Sequence, residues 1–143
     1  MIVCSTLRFD AWRPDFASSG LSNPIWTRVW FKKMLLCNGL EGVDATTNPI
    51  QTLICEQCGI SGCQQGGYVH LSRLDGLVLW SAPVLDEPEP WEIRHFRAPN
   101  VVLDHGALAI PAEQWRKLRN INPGLPHIDG LESIDIVQEH LLW

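Results

Sequence analysis

The stretch that most constrains the fold is GYVHLSRLDGLVLWSAP, residues 67–83. Two apolar-rich runs flank Asp75-Gly76. That dipeptide favours two-residue hairpin turns, because both central positions of a type I′ turn need positive φ. The pattern predicts strands near 67–74 and 77–82, stopped by Pro83. On the first strand Val69, Leu71 and Arg73 share one face, and Tyr68, His70 and Ser72 the other, since side chains alternate across a strand.

The other segments are read from periodicity and turn residues. STLRFDAW (5–12) places Leu7, Phe9 and Ala11 on one side, which predicts an early strand. RPDFASSGLSNP (13–24) is rich in Pro, Ser, Gly and Asn and reads as a loop. IWTRVWFKKMLLC (25–37) permits a helix through Ile25, Val29 and Leu36, but its β-branched and aromatic first half favours a strand. NGLEGVDATTNP (38–49) is a turn-rich connection. DEPEPWE (86–92), with four carboxylates and two prolines, reads as an extended exposed loop. EIRHFRAP (92–99) alternates like a strand, and NVVLDHGALAIP (100–111) reads as a second hairpin turning at Asp104-His105-Gly106. PAEQWRKLRNI begins a helix with Pro111 in its first turn, where a missing N–H costs little, and turns Trp115 and Leu118 inward. NPGLPHIDG breaks that helix. LESIDIVQEHLLW makes a final amphipathic helix with Ile134, Val137 and Leu141 inward. Strands first and helices last predict an α+β fold in a single domain, 1–143. Its antiparallel sheet is built from hairpins (about 67–82 and 100–110), with C-terminal helices packed on it.

Composition narrows the function classes. The chain has 143 residues, 45% hydrophobic and 19% charged, as expected of a globular domain. It carries 11 basic against 16 acidic residues, a formal charge of −5. Lys32-Lys33 and Arg116-Lys117-x-Arg119 are too short to neutralise a run of phosphates, so nucleic acid is excluded as a partner and a basic protein is the better match. No run of 18 apolar residues exists, so no spanning helix is expected. MIVCSTLRFDAW lacks the basic and apolar regions of a secretory signal, and the expectation is cytoplasmic. Cysteines there are reduced, which turns attention from disulfides to metal or thiol chemistry. Seven tryptophans exceed what such a length usually carries and fit a dense core or a binding face.

Three of the five cysteines, Cys55, Cys58 and Cys63, lie in LICEQCGISGCQQGGYVHL (53–71), where Gly59, Gly62, Gly66 and Gly67 permit a tight wrap. Three thiolates need a fourth ligand for tetrahedral zinc. His70 is nearest in sequence, and Cys37, Cys4, His95 and His105 are the alternatives. The same thiols could instead pack as small hydrophobes, form a labile Cys55–Cys58 disulfide, or supply a catalytic thiolate. Cys55-Glu-Gln-Cys58-Gly59 resembles the zinc knuckle of ribbon and rubredoxin-like proteins. That resemblance implies that the Cys55 and Cys58 thiolates point at one metal across the turn ending in Gly59. Only one such knuckle is present.

No Gly-x-Ser-x-Gly, phosphate-binding glycine loop or His-Glu-x-x-His occurs. The whole chain resembles small bacterial proteins encoded as stand-alone domains. The reading is a non-enzymatic cytoplasmic protein-binding domain of adaptor or immunity type, stapled by structural zinc on Cys55, Cys58, Cys63 and His70. Its surface for a basic protein partner is Asp86, Glu87, Glu89, Trp91 and Glu92, an aromatic anchor ringed by charge. The alternative is a redox sensor or thiol enzyme built on Cys55, Cys58 and Cys63.

Overall fold

The computed structural model describes residues 1–13, 25–56 and 66–134. Its elements in chain order are β1 (Ile2–Val3), β2 (Arg8–Trp12), β3 (Trp26–Phe31), β4 (Met34–Cys37), β5 (Ile50–Gln51), β6 (Tyr68–Leu74), β7 (Leu77–Ser81), α1 (Pro90–His95), α2 (Asn100–His105), β8 (Ala107–Pro111) and α3 (Ala112–Ile121). The architecture is α+β. Among the described residues one sheet has the order β1-β8-β7-β6-β5 and a smaller one the order β2-β3-β4. Among the strands named here, all pairings are antiparallel except β1 with β8.

The 67–82 hairpin forms as the sequence predicts, with Leu74 opposite Leu77 across the turn. Its turn differs in detail, because Asp75 takes the left-handed conformation (φ 51°) and Gly76 stays outside it. The run 25–37 is two strands rather than one, folding back at Lys32-Lys33, where Lys32 has φ 53°. The early strand is shorter than expected and begins at Arg8.

Val69, Leu71, Val78, Trp80, Leu108 and Ile110 turn one face of the large sheet into the main core. There they meet Val29, Phe31 and Leu36 of the small sheet, Val102 of α2, and Trp115 and Leu118 of α3. The inward stripe predicted for α3 is therefore the observed one. Gln114, buried beside it, accepts a hydrogen bond from the Leu7 backbone at 3.0 Å and ties the N-terminal segment to α3. The opposite sheet face carries a smaller cluster of Leu74, Leu79 and Ala109, with Leu77 and Ile134 against it.

Three expectations are corrected. Residues 100–110 are not a hairpin: 100–105 is helix α2, and only 107–111 is a strand. Val101 and Val102 read as strand formers, but helical spacing brings Val101, Val102 and His105 to one side, with Val102 fully buried. Gly106 ends the helix at φ 79°, the left-handed position glycine fills most readily at a helix C-terminus. Residues 92–99 are not a strand either, because α1 occupies 90–95. Pro90 sits in its first turn, while the Glu89 side chain caps the Glu92 backbone and the Glu92 carboxylate accepts from the Glu89 N–H at 3.0 Å. The exposed loop assigned to 86–92 thus ends in a helix. Finally, 132–134 is extended rather than helical. Arg73 donates its N–H to Glu132 O (2.8 Å) and accepts from Ile134 N–H (2.7 Å), laying this segment parallel to β6. The rest of the expected final helix, 135–143 with Val137 and Leu141, lies outside the described residues, as do most of the 13–24 loop and 57–65.

Candidate functional site

The cysteine loop departs from a closed stem. Thr52 donates its N–H to Gly67 O at 2.8 Å, and the Gln51 side chain donates to Gly66 O at 3.1 Å. Entry and exit are therefore neighbours. On the entry side Asn38 acts as a one-residue strand: its Nδ2 donates to Ile54 O and its Oδ1 accepts from Ile54 N–H, both at 2.9 Å. Gly67 has φ 82°, and a Cβ there would stand 2.6 Å from Leu53 O, so the close approach of the two stem strands requires glycine.

Of the four nominated zinc ligands, Cys58 and Cys63 lie outside the described residues. Cys55 sits half-buried just past Ile54, and His70 half-buried in β6, on the sheet face opposite the main core. The two belong to no group of three or more metal-ligating side chains among the described residues. Cys4 and Cys37 belong to no such group among the described residues either. Both are core residues, and burial pushes their thiols up to about 11 and about 12, where they remain protonated at neutral pH. His95 packs its ring against Tyr68 and Phe96 (centroids 5.2 and 4.7 Å), and His105 closes α2.

The fold joins the two regions that the sequence nominated separately. Gly66 N–H donates to His95 O, and Gly67 N–H to Arg97 O, each at 2.8 Å. The exit of the cysteine loop is thereby bonded to the C-terminal end of α1 and the residues after it. Tyr68, the first residue of β6, meets the ring of His95 at a tilt and that of Phe96 edge-on (5.2 and 5.0 Å), so the C-terminal end of α1 packs against the start of β6. The nominated binding residues lie on this helix and in the segment just before it. Trp91 remains 55% exposed although its ring approaches His95 (6.4 Å), Ile93 is 57% exposed, and Val84 just upstream is 93% exposed. Asp86, Glu87 and Glu89 are exposed around them, and among the described residues none of these carboxylates, nor Glu92, forms an ion pair.

Sequence reasoning missed a second aromatic surface. On the outer face of the small sheet, Arg28 binds Asp10 through two hydrogen bonds of 2.9 Å and lies over both Trp12 (5.5 Å) and Trp30 (5.4 Å). Arg8 covers Trp30 at 5.1 Å, and Trp30 Nε1 donates to Asp10 at 3.1 Å. The Arg28 guanidinium holds the Asp10 carboxyl below its usual range. Charges and rings here satisfy one another, which makes this face a stiffening ladder rather than an open binding surface. The signal was present as Arg8, Asp10 and Trp12 at alternate positions, matched by Trp26, Arg28 and Trp30, and it needed the strand register to be read.

Among the described residues no helix is long and apolar enough to cross a membrane. Comparison with protein-family models, curated proteins and solved structures yields no match, so the reading of function rests on this geometry.

Proposed function

We propose that this chain is a non-enzymatic protein-binding domain that docks a basic partner through segment 84–95. The observation that carries the reading is a short helix tied to the sheet at its C-terminal end, on which Trp91 and Ile93 both stay more than half exposed. Val84 is exposed just upstream, and among the described residues Asp86, Glu87 and Glu89 make no ion pair. Large apolar side chains on such a surface mark contact sites, and Trp is the residue type most enriched among interface hot spots. A carboxylate rim would steer a cationic partner and slow its association as salt rises. Clamping α1 through Tyr68 and the Gly66 and Gly67 hydrogen bonds orders the surface before binding, which lowers the entropic cost of docking.

The test is affinity capture from the source organism, followed by titration of the recovered partner against three chains: wild type, Trp91→Ala, and Asp86→Lys with Glu87→Lys. Trp91→Ala is expected to weaken binding about 30-fold, as for an aromatic hot spot of about 2 kcal/mol. The charge reversal is expected to slow association and remove its salt dependence. Failure to recover a basic partner, or equal binding by all three chains, refutes the reading.

Structural zinc belongs to the same proposal as a staple of the adjoining loop, with Cys55, Cys58, Cys63 and His70 as its ligands. Metal analysis of protein purified without chelator, combined with thiol counting, tests it. One zinc per chain with three protected thiols is expected. A metal-free protein whose loop thiols all react removes zinc and leaves the docking surface to stand alone.

A further inference from the structure

The run Arg116-Lys117-x-Arg119 is too short to follow a chain of phosphates, but α3 gives it a local geometry. Arg116 and Arg119 lie three apart, on one side of the helix, and Lys117 falls off that side. Both arginines line a cavity of about 170 Å³, together with Ala112, Trp115, His127 and Ile128. Arg119 is held in place there. Its Nε donates to Leu125 O at 2.9 Å, and its Nη2 lies 3.1 Å from His127 Nε2, which accepts because a guanidinium can only donate. The loop that supplies these acceptors is itself tied to α3, since Trp115 Nε1 donates to Pro126 O at 2.8 Å.

These bonds use part of the Arg119 fork and leave its remaining N–H groups to other acceptors. Arg119 is half-buried, while Arg116 and His127 are exposed, so the polar groups of this cavity are open to solvent. No carboxylate lines it. Glu113, one turn before Arg116, lies outside the lining, and Asp129 pairs with Arg73 at 3.7 Å. Among the described residues neither Arg116 nor Arg119 forms an ion pair. A positioned guanidinium beside a second one, with no anion to balance either, favours an anionic ligand. At about 30 Å³ per water, the space takes one small oxyanion and little more. We infer that this cavity binds a phosphate group, with Arg119 as the pre-set fork and Arg116 closing on it from the preceding turn. A phosphate offers oxygens to two forks at once, whereas a carboxylate is filled by one bidentate arginine. The rest of any phosphorylated molecule stays outside the cavity. The site shares no residue with segment 84–95 and does not depend on it.

The experiment titrates the full chain with sodium phosphate, sodium acetate and sodium chloride at matched ionic strength. NMR follows the Arg119 Nε–H, whose hydrogen bond to Leu125 O protects it from exchange, and the backbone amides of Arg116 and His127. Saturable shifts are expected with phosphate in the millimolar range, at least about fivefold weaker binding with acetate, and no saturation with chloride. Arg116→Ala is expected to weaken phosphate at least about fivefold, the loss of one charge-assisted contact. Lys117→Ala removes the same charge from the same helix outside the cavity, and is expected to change the affinity less than about twofold. Both positions are exposed, so both variants should fold. Glycerol 3-phosphate separates two sources of the group: tighter binding of the ester assigns a small phosphorylated molecule, and tighter binding of the free ion assigns inorganic phosphate. The inference is overturned if phosphate produces no saturable shift, if chloride or acetate reproduces it at the same concentration, or if Arg116→Ala and Lys117→Ala weaken binding equally.

Discussion

Asn38 and Asn48 make the same pair of bonds in different surroundings, and that contrast yields a sharp prediction. Asn38 holds the N–H and C=O of Ile54, and Asn48 holds the N–H and C=O of Leu71 at 2.9 and 2.8 Å. Ile54 and Leu71 are both buried (2% and 1%), but Asn38 is itself 4% exposed, whereas Asn48 lies at the surface, where its removal opens the Leu71 backbone to water. Substituting alanine removes two hydrogen bonds at either place, but only Asn38→Ala strands two backbone groups away from water. Each buried orphan costs about 1–3 kcal/mol, so Asn38→Ala should destabilise by about 3 kcal/mol, roughly a hundredfold in the folding equilibrium. At Asn48 water can replace the lost amide, and the cost should be about 1 kcal/mol. Urea unfolding reads the difference: with a slope of about 2 kcal/mol/M, the midpoints should fall by about 1.5 M and about 0.5 M. The slopes themselves should not change. Hydrogen exchange supplies a local check, because the Ile54 amide should lose its protection at the mouth of the cysteine loop. Equal midpoint shifts in the two variants, or a cost below about 1 kcal/mol at Asn38, would refute the argument that burial sets the worth of these bonds.

Two further outcomes follow from the same geometry. Gly67→Ala combines a left-handed backbone with a Cβ 2.6 Å from Leu53 O and should cost about 3 kcal/mol. Gly76→Ala, with nothing within 4 Å, should cost less than about 1 kcal/mol, and thermal unfolding of both distinguishes them. Stability should also decline on the alkaline side. Cys4 and Cys37 stay neutral in the fold up to about 11 and about 12, while in the unfolded chain they ionise near 9.0. Their contribution is complete below pH 9 and is lost above it by roughly 1.4 kcal/mol per pH unit for each thiol. Replacing both cysteines by alanine should flatten the profile of unfolding free energy between pH 9 and 11, and an unaltered slope would argue against buried neutral thiols.

The hairpin at 68–81 and the inward stripe of α3 were legible because each depends on local chemistry: a turn dipeptide, an alternation, a helical spacing. Segments 90–95 and 100–105 were misread as strands for a related reason. Six residues are too few for periodicity to separate helix from strand, and Val101-Val102 favours the wrong answer when packing is left out. The capping pair Glu89 and Glu92 with Pro90 was the overlooked clue for α1. The cysteine cluster and the acidic aromatic stretch stand out in the sequence, yet their adjacency does not. It is created by hydrogen bonds from Gly66 to His95 and from Gly67 to Arg97, contacts about thirty residues apart that no local pattern encodes. The Arg28–Asp10–Trp30 ladder depends likewise on cross-strand register. By itself the sequence determined the Asp75-Gly76 turn, the alternation of the strands around it and the residues able to do chemistry, since these follow from single-residue conformational preferences. Only the tertiary structure decided which of those residues meet, because register and packing arise from the simultaneous burial of distant segments.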